Sequence, residues 1–308
     1  VGADRDVARE HAALGLPVEV PAHWETLGES PWSPVLLSAG GDSPIEAVIR
    51  EAADPDAARN HAAVAEALAR CGFAHAPRLL AMVANATIEE AVPGATAMQL
   101  VPPPGTAEAA MAAFAALHAL PLREGADWDR NPGDLCPAAE VPLHRLGFSS
   151  IEREPAREPL LEAHAYLLAS PFGFAHRNAV AANVLLAPGK AWLTDFSTAG
   201  HGPQYFDVAA FLLTSGLEAP GRRALAAAYA RHRDVAPDTA ADLIDLLGIL
   251  WGIGWLLELP RQLITNLGDD STSSALRLAS SRIEKGMRQP AGDSSVAAAI
   301  RAALWPVR

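Results

Sequence analysis

The sequence predicts an α+β protein of two lobes, a small N-terminal lobe built on an antiparallel sheet and a larger helical lobe after it. Three observations carry this. Three short strand-like runs come first: Val18 to Leu27, Val35 to Ser38 and Ile45 to Arg50. They are separated by Gly28-Glu29-Ser30-Pro31 and Gly40-Gly41-Asp42, both turn chemistry. In mid-chain, the apolar runs Val184-Leu185-Leu186 and Ala191 to Thr194 flank Pro188-Gly189-Lys190, the pattern of a strand–turn–strand hairpin. Beyond it the pattern is almost wholly helical. At 308 residues the chain is long enough for one large domain or for two lobes around a cleft. The expected division is a small lobe at residues 1–94, a strand meander plus one helix, and a helical lobe at 95–308 that carries the hairpin.

In order, Asp4 to Leu14 is helix-like and polar, and the meander follows. Asp54 to Cys71 reads as a helix, with Asp54 as its cap and Pro55 at the first helical position. Ala76 to Leu80 enters a strand, and Thr87 to Gly94 reads as a strand and a linker between lobes. A Pro-rich break, Val101 to Gly105, precedes the Ala-rich helix Thr106 to Leu120. Arg123 to Pro142 is polar and long for a loop, a candidate substrate-side segment with Asp127 and Asp129 in it. Ile151 to Leu168 is helical and feeds the hairpin. Asp207 to Leu217, with Asp207 as a cap, Gly221 to His232 and Thr239 to Leu259 are helices. The polar tail, Ile264 to Gln289, turns helical from Ser274, and Gly292-Asp293-Ser294 opens a last helix to Trp305.

Composition excludes several classes. Half the residues are hydrophobic, ample for a core and unlike a disordered chain. A net charge of −12 is the opposite of a nucleic-acid footprint, so no nucleic-acid partner is expected; it is compatible with a cationic ligand. The longest apolar run, Leu246 to Leu257, is short of the ~20 residues that span a bilayer, so it reads as a buried helix and no membrane partner is expected. Two distant cysteines, Cys71 and Cys136, suggest reduced thiols and a cytoplasmic protein.

The hairpin places a carboxamide, Asn183, before its first strand and a carboxylate, Asp195, after its second. Antiparallel pairing brings those ends together, and two oxygen ligands held side by side suit a hard divalent cation such as Mg²⁺ on nucleotide phosphates. Around them stand His176, Arg177, Asn178, Asp195-Phe196 and Phe206-Asp207-Val208-Ala209, with Leu117-His118-Ala119-Leu120-Pro121 upstream. This set resembles the aminoglycoside phosphotransferase and choline kinase family, a branch of the protein-kinase fold, over roughly Trp24 to Leu259. The family pattern is H-G-D-x-x-x-x-N, a hydrophobic hairpin with D-F, then Y-D-hydrophobic-A.

The resemblance implies a bilobal kinase-like fold, an ATP or other nucleotide site, and Mg²⁺ held by Asn183 and Asp195. It implies a packing role for His176 and a bracing role for Asp207. It puts Arg50 where the family has a phosphate-pairing Lys, and the linker backbone at Glu90 and Ala91 against the base of the nucleotide. The turn Gly28-Glu29-Ser30 would lie over the phosphates. His118 corresponds to a structural helix end. The chain departs from the pattern where Asn178 replaces the catalytic Asp, where Arg177 replaces Gly, and where Asn60 or His61 replaces the helix Glu that pairs with the Lys. Glu66 is the only acid later in that helix. Arg177 is a cation beside the γ-phosphate site, free to bind phosphate or to pair with Asp195.

Asn keeps the shape of Asp but takes no proton, and general-base help is worth about 10²–10⁴-fold. The expectation is therefore a pseudokinase-like protein that binds nucleotide, Mg²⁺ and a small-molecule or peptide ligand. The alternatives are an active ATP-dependent phosphotransferase acting on a hydroxyl, and a partner protein with no nucleotide. Substrate identity and oligomeric state are not written in the sequence.

Overall fold

The structure, a computed structural model, describes residues 13–15, 22–26, 35–39, 45–52, 55–92, 96–97, 106–122, 154–265 and 270–305. The first expected helix, the turn at Gly28 to Ser30, the cap Asp54, and the connection from Arg123 to Pro142 with Asp127, Asp129 and Cys136 lie outside the described residues.

The small lobe is a five-stranded antiparallel sheet. Its strands are β1 (Ala22–Thr26), β2 (Val35–Ala39), β3 (Ile45–Glu51), β4 (Leu79–Val83) and β5 (Ala86–Glu90), in the order β1-β2-β3-β5-β4. Helix α1 (Pro55–Arg70) crosses from β3 to β4, and its buried face comprises Ala58, His61, Ala62, Val64, Ala65, Ala67 and Leu68. Ala, which loses no side-chain entropy in a helix, supplies most of that face and lets the helix approach closely.

After β6 (Thr96–Ala97) the large lobe begins with α2 (Thr106–His118) and α3 (Glu154–Ala169). The hairpin is β8 (Val184–Ala187) and β9 (Lys190–Leu193), as expected, with Val184 opposite Leu193. Gly189 sits at φ 71° in its turn, a conformation open to glycine at little penalty. Two further strands, β7 (Phe172–Ala175) and β10 (Gly200–Pro203), pair antiparallel and bracket the hairpin. Helices α4 (Gln204–Thr214), α5 (Ala219–His232), α6 (Pro237–Thr265), α7 (Asp270–Arg288) and α8 (Ser295–Leu304) complete the chain. Every residue of α4 is buried, so this helix is the lobe's axis.

Two expectations change. Helix α4 starts at Gln204 with Pro203 as its cap, so Asp207 lies inside the first turn and its carboxylate is turned to other donors. The apolar Tyr205-Phe206 pair extends the buried helix one turn earlier than the polar residue suggests. Helix α6 runs 29 residues, longer than the expected span. Its stretch Pro237–Leu256 is apolar and long enough to cross a bilayer, but 56% of it is buried in the protein, as in a core helix.

Candidate active site

Strand β7 ends at Ala175 and delivers His176, Arg177 and Asn178 to a loop braced from below. Asp207 Oδ2 accepts from the His176 N–H at 2.6 Å, and Asp207 Oδ1 from the Arg177 N–H at 2.8 Å. His118 Nε2 donates to the same carboxylate at 3.0 Å, and the Tyr229 hydroxyl donates to His118 Nδ1 at 2.8 Å. His118 is thus the structural helix end expected, and Asp207 the brace. Arg177 sits at φ 67°, the left-handed region that glycine adopts easily, and the loop holds it there because both N–H groups face Asp207. Its side chain runs along β10, its Cγ 3.6 Å from where a Cβ on Gly202 would stand.

His176 is fully buried between the hairpin and α4. Its Nε2 donates to the Thr194 carbonyl at 2.8 Å, which fixes the neutral tautomer, and its ring lies 4.8 Å from that of Phe196. Burial pushes its pKa below the ordinary 6.5, against the opposing pull of Asp207.

The two candidate metal ligands meet at the hairpin mouth. The Asn183 carbonyl accepts from Thr194 N at 2.9 Å, the residue next to Asp195. Asn183 Nδ2 donates to the Asn178 carbonyl at 2.9 Å, which turns the amide oxygen away from that carbonyl and ties the metal position to the base position. Asp195 is left-handed, φ 62°, at the head of a short 3₁₀ turn, Phe196–Thr198. Burial pushes its carboxyl up, but the Arg50 charge and a 2.6 Å hydrogen bond from Ser197 outweigh this and hold it below the usual carboxylate value. An ionised carboxylate and an amide oxygen carried at the two ends of one hairpin are a donor set of the kind that suits Mg²⁺, which binds through one or two protein oxygens and takes the rest from water and phosphate. Among the described residues no cluster of three or more His, Cys, Asp or Glu could hold a metal.

In the small lobe Arg50 leaves β3 as a partly exposed cation. Its partner is Glu89 of β5, 2% exposed, with Arg50 Nε 3.7 Å from Glu89 Oε2. No acid of α1 is in reach in this role; the acid comes from β5, which the sequence reading missed. The two α1 positions in place of an acid hold the metal turn: Asn60 Nδ2 lies 3.3, 3.0 and 3.1 Å from the carbonyls of Phe196, Ser197 and Ala199. The Phe196 N–H donates to His61 Nδ1 at 3.2 Å. Arg50 is thus a cation that acts on Asp195.

At the linker, the Glu90 N–H donates to Arg78 O at 2.9 Å and the Ala91 N–H to Glu46 O at 3.1 Å. Both of these N–H groups pair within the sheet. Exposed Glu90 pairs with Arg78 at 3.2 Å.

The phosphotransferase enzyme family is matched over residues 8–243, well over half the chain. Among curated proteins none matches the sequence. Among solved structures, a choline/ethanolamine kinase family protein from Mesorhizobium loti is 19% identical, with 96% of this chain and 98% of that one covered and a TM-score of 0.67. An ethanolamine kinase of Plasmodium vivax is 15% identical, over 91% and 86% of the two chains, with a TM-score of 0.65. The amicoumacin kinase hAmiN, in complex with AMP-PNP, Ca²⁺ and Ami, is 10% identical over 96% of each, with a TM-score of 0.56. At these identities the likeness is one of fold, and the fold is the bilobal kinase-like one.

Proposed function

The chain belongs to the phosphotransferase enzyme family, and from that premise we propose that it binds a nucleotide with Mg²⁺ and serves as a binding or regulatory protein whose catalytic-base position is Asn178. The observation that carries this reading is the joining of a metal-type mouth, Asn183 and ionised Asp195, to a base position held by Asn178, whose backbone carbonyl accepts from Asn183 Nδ2. Arg50 supplies a cation near that mouth, and Asp195 would hold the metal with Asn183. Bound Mg²⁺ would neutralise phosphate charge. hAmiN was solved with AMP-PNP and Ca²⁺, which supports a nucleotide and a divalent cation as the ligands to test first. The further ligand is a small molecule or peptide, with no nucleic acid and no membrane.

A second reading is favoured by the cation and metal turn being held in place by Glu89, His61 and Asn60: slow transfer of a phosphoryl group to a hydroxyl, with Asn178 orienting the acceptor. Transfer through a loose transition state depends mostly on positioning and charge.

The test is a calorimetric titration of ATP with and without Mg²⁺. Wild type is expected to bind ATP in a Mg²⁺-dependent manner, and Asp195→Ala to lose the Mg²⁺ dependence. No ATP binding by wild type under either condition sinks the nucleotide reading. Asn178→Asp then separates the two functions. In a binding protein short only of its base, nucleotide hydrolysis or transfer rises by about 10²–10⁴-fold; wild-type turnover already at the variant's rate favours the second reading.

A further inference from the structure

Four groups form one chain between the lobes, buried except at Arg50. Arg50 on β3 lies against one oxygen of Glu89 on β5 at 3.7 Å. His61 on α1 donates from Nε2 to the other Glu89 oxygen at 2.9 Å. The same ring accepts from the Phe196 N–H at 3.2 Å, and that acceptance at Nδ1 is what makes Nε2 the donor. Both His61 and Glu89 are 2% exposed. A carboxylate this deep is strongly unfavourable unless each oxygen is answered. Here one oxygen is answered by a cation and the other by an imidazole, and the imidazole is fixed to the residue after Asp195.

We propose that Glu89 is a positioning residue: it aims Arg50 at the phosphates of a bound nucleotide and, through His61, fixes the turn that carries Asp195. The proposal rests on the nucleotide reading above for its Arg50 half. The ion pair at 3.7 Å is longer than a hydrogen bond, and Arg50 Nε has no hydrogen-bond partner among the described residues. Glu89 therefore directs the guanidinium without saturating its donors. Because Glu89 joins both arms, movement of β5 is felt at the cation and at the metal turn together.

The sign of one substitution separates positioning from mere charge. Glu89→Gln keeps an oxygen for His61 but removes the charge facing Arg50. If Glu89 were only a nearby negative charge, its removal would tighten anion binding. If Glu89 aims Arg50, removal weakens it. Calorimetry with ATP·Mg²⁺ is expected to show about tenfold weaker binding for Glu89→Gln, the scale of one charge-assisted contact. Equal or tighter binding overturns the proposal.

Hydrogen exchange in the nucleotide-free protein tests the other arm. Gln reaches where Nε2 stands and Asn where Nδ1 stands, so His61→Gln loses the acceptor for Phe196 N–H and His61→Asn keeps it. Exchange in the segment 193–199 is expected to rise in His61→Gln and to stay near wild type in His61→Asn. No rise in His61→Gln overturns the link to the turn. Should His61→Gln fail to fold, Glu89→Ala, which strips His61 of its acceptor, takes its place with the same expected rise. If wild type binds no ATP·Mg²⁺, the nucleotide reading and the Arg50 arm fall together, while the exchange result still decides the hold on the turn.

Discussion

His176 and Asp195 both have pKa values lowered by their surroundings, yet they answer to pH in different windows. His176 is neutral in the fold because burial disfavours its charge and Nε2 is committed to Thr194. An unfolded chain protonates that imidazole near its ordinary value of about 6.5, and the folded one only below it. Between those values the unfolded state binds more protons, so stability is full above about 6.5 and falls as pH drops into the window. Asp195 keeps its contribution until pH falls below the ordinary carboxylate value of 3.8, through its lowered one. Urea melts between pH 7.5 and 5.5 should therefore show a decline in stability that is shallower in His176→Gln. Equal slopes in the two proteins would assign the decline to other histidines.

At the level of elements, the large lobe is closed at its end by one arginine. Arg301 of α8 donates through Nη2 to both oxygens of Asp245 on α6, at 2.8 and 2.7 Å, and through Nε to the Met287 carbonyl of α7 at 2.7 Å. Asp245 also accepts from the Ala291 N–H at 3.2 Å. Removing one member of a buried pair leaves the other charged and unanswered, at about 3–5 kcal/mol. Arg301→Ala is expected to lower unfolding free energy by that order in a denaturant melt, whereas Ser294→Ala, which deletes only the cap of α8, loses about 1 kcal/mol. Similar losses for the two variants would show the ion pair to be nearly neutral. The hairpin β8–β9 was legible beforehand because its signals are local: two apolar runs and a Pro-Gly turn. Strands β7 and β10 were not, since Phe-Gly-Phe-Ala and Gly-His-Gly-Pro carry no strand periodicity and pair only with each other. The candidates Asn183 and Asp195 could be picked out from the hairpin pattern, and His176 from the family resemblance. Glu89 could not, because its partners come from β3 and α1, and nothing in Thr-Ile-Glu-Glu says which acid turns inward.

For the molecule as a whole, packing and hydrogen bonding tie α1 to the large lobe as firmly as to its own sheet. Val64 and Leu68 belong to the main core with Phe114 and Phe196, while among the described residues β3 and β5 share a separate cluster of Ala47, Ile49, Ala86 and Ile88. Asn60 and His61 hold the Phe196 turn, and past α1 the Leu193 N–H donates to the His75 carbonyl at 2.7 Å, with His75 Nδ1 2.9 Å from the Ala191 carbonyl. Among the described residues, the two isoleucines of that cluster, at about 1.5–3 kcal/mol each, give β3 and β5 a thin reserve of burial. The main core buries many times that, so the sheet should open first and leave α1 behind. Native-state hydrogen exchange in low denaturant is the measurement. The segment 55–70 is expected to exchange in step with 204–214 and at a higher opening free energy than 45–51 and 86–90. Exchange of 55–70 in step with the strands would mean that the small lobe opens as one body, and that the bonds from Asn60 and His61 yield before the sheet does.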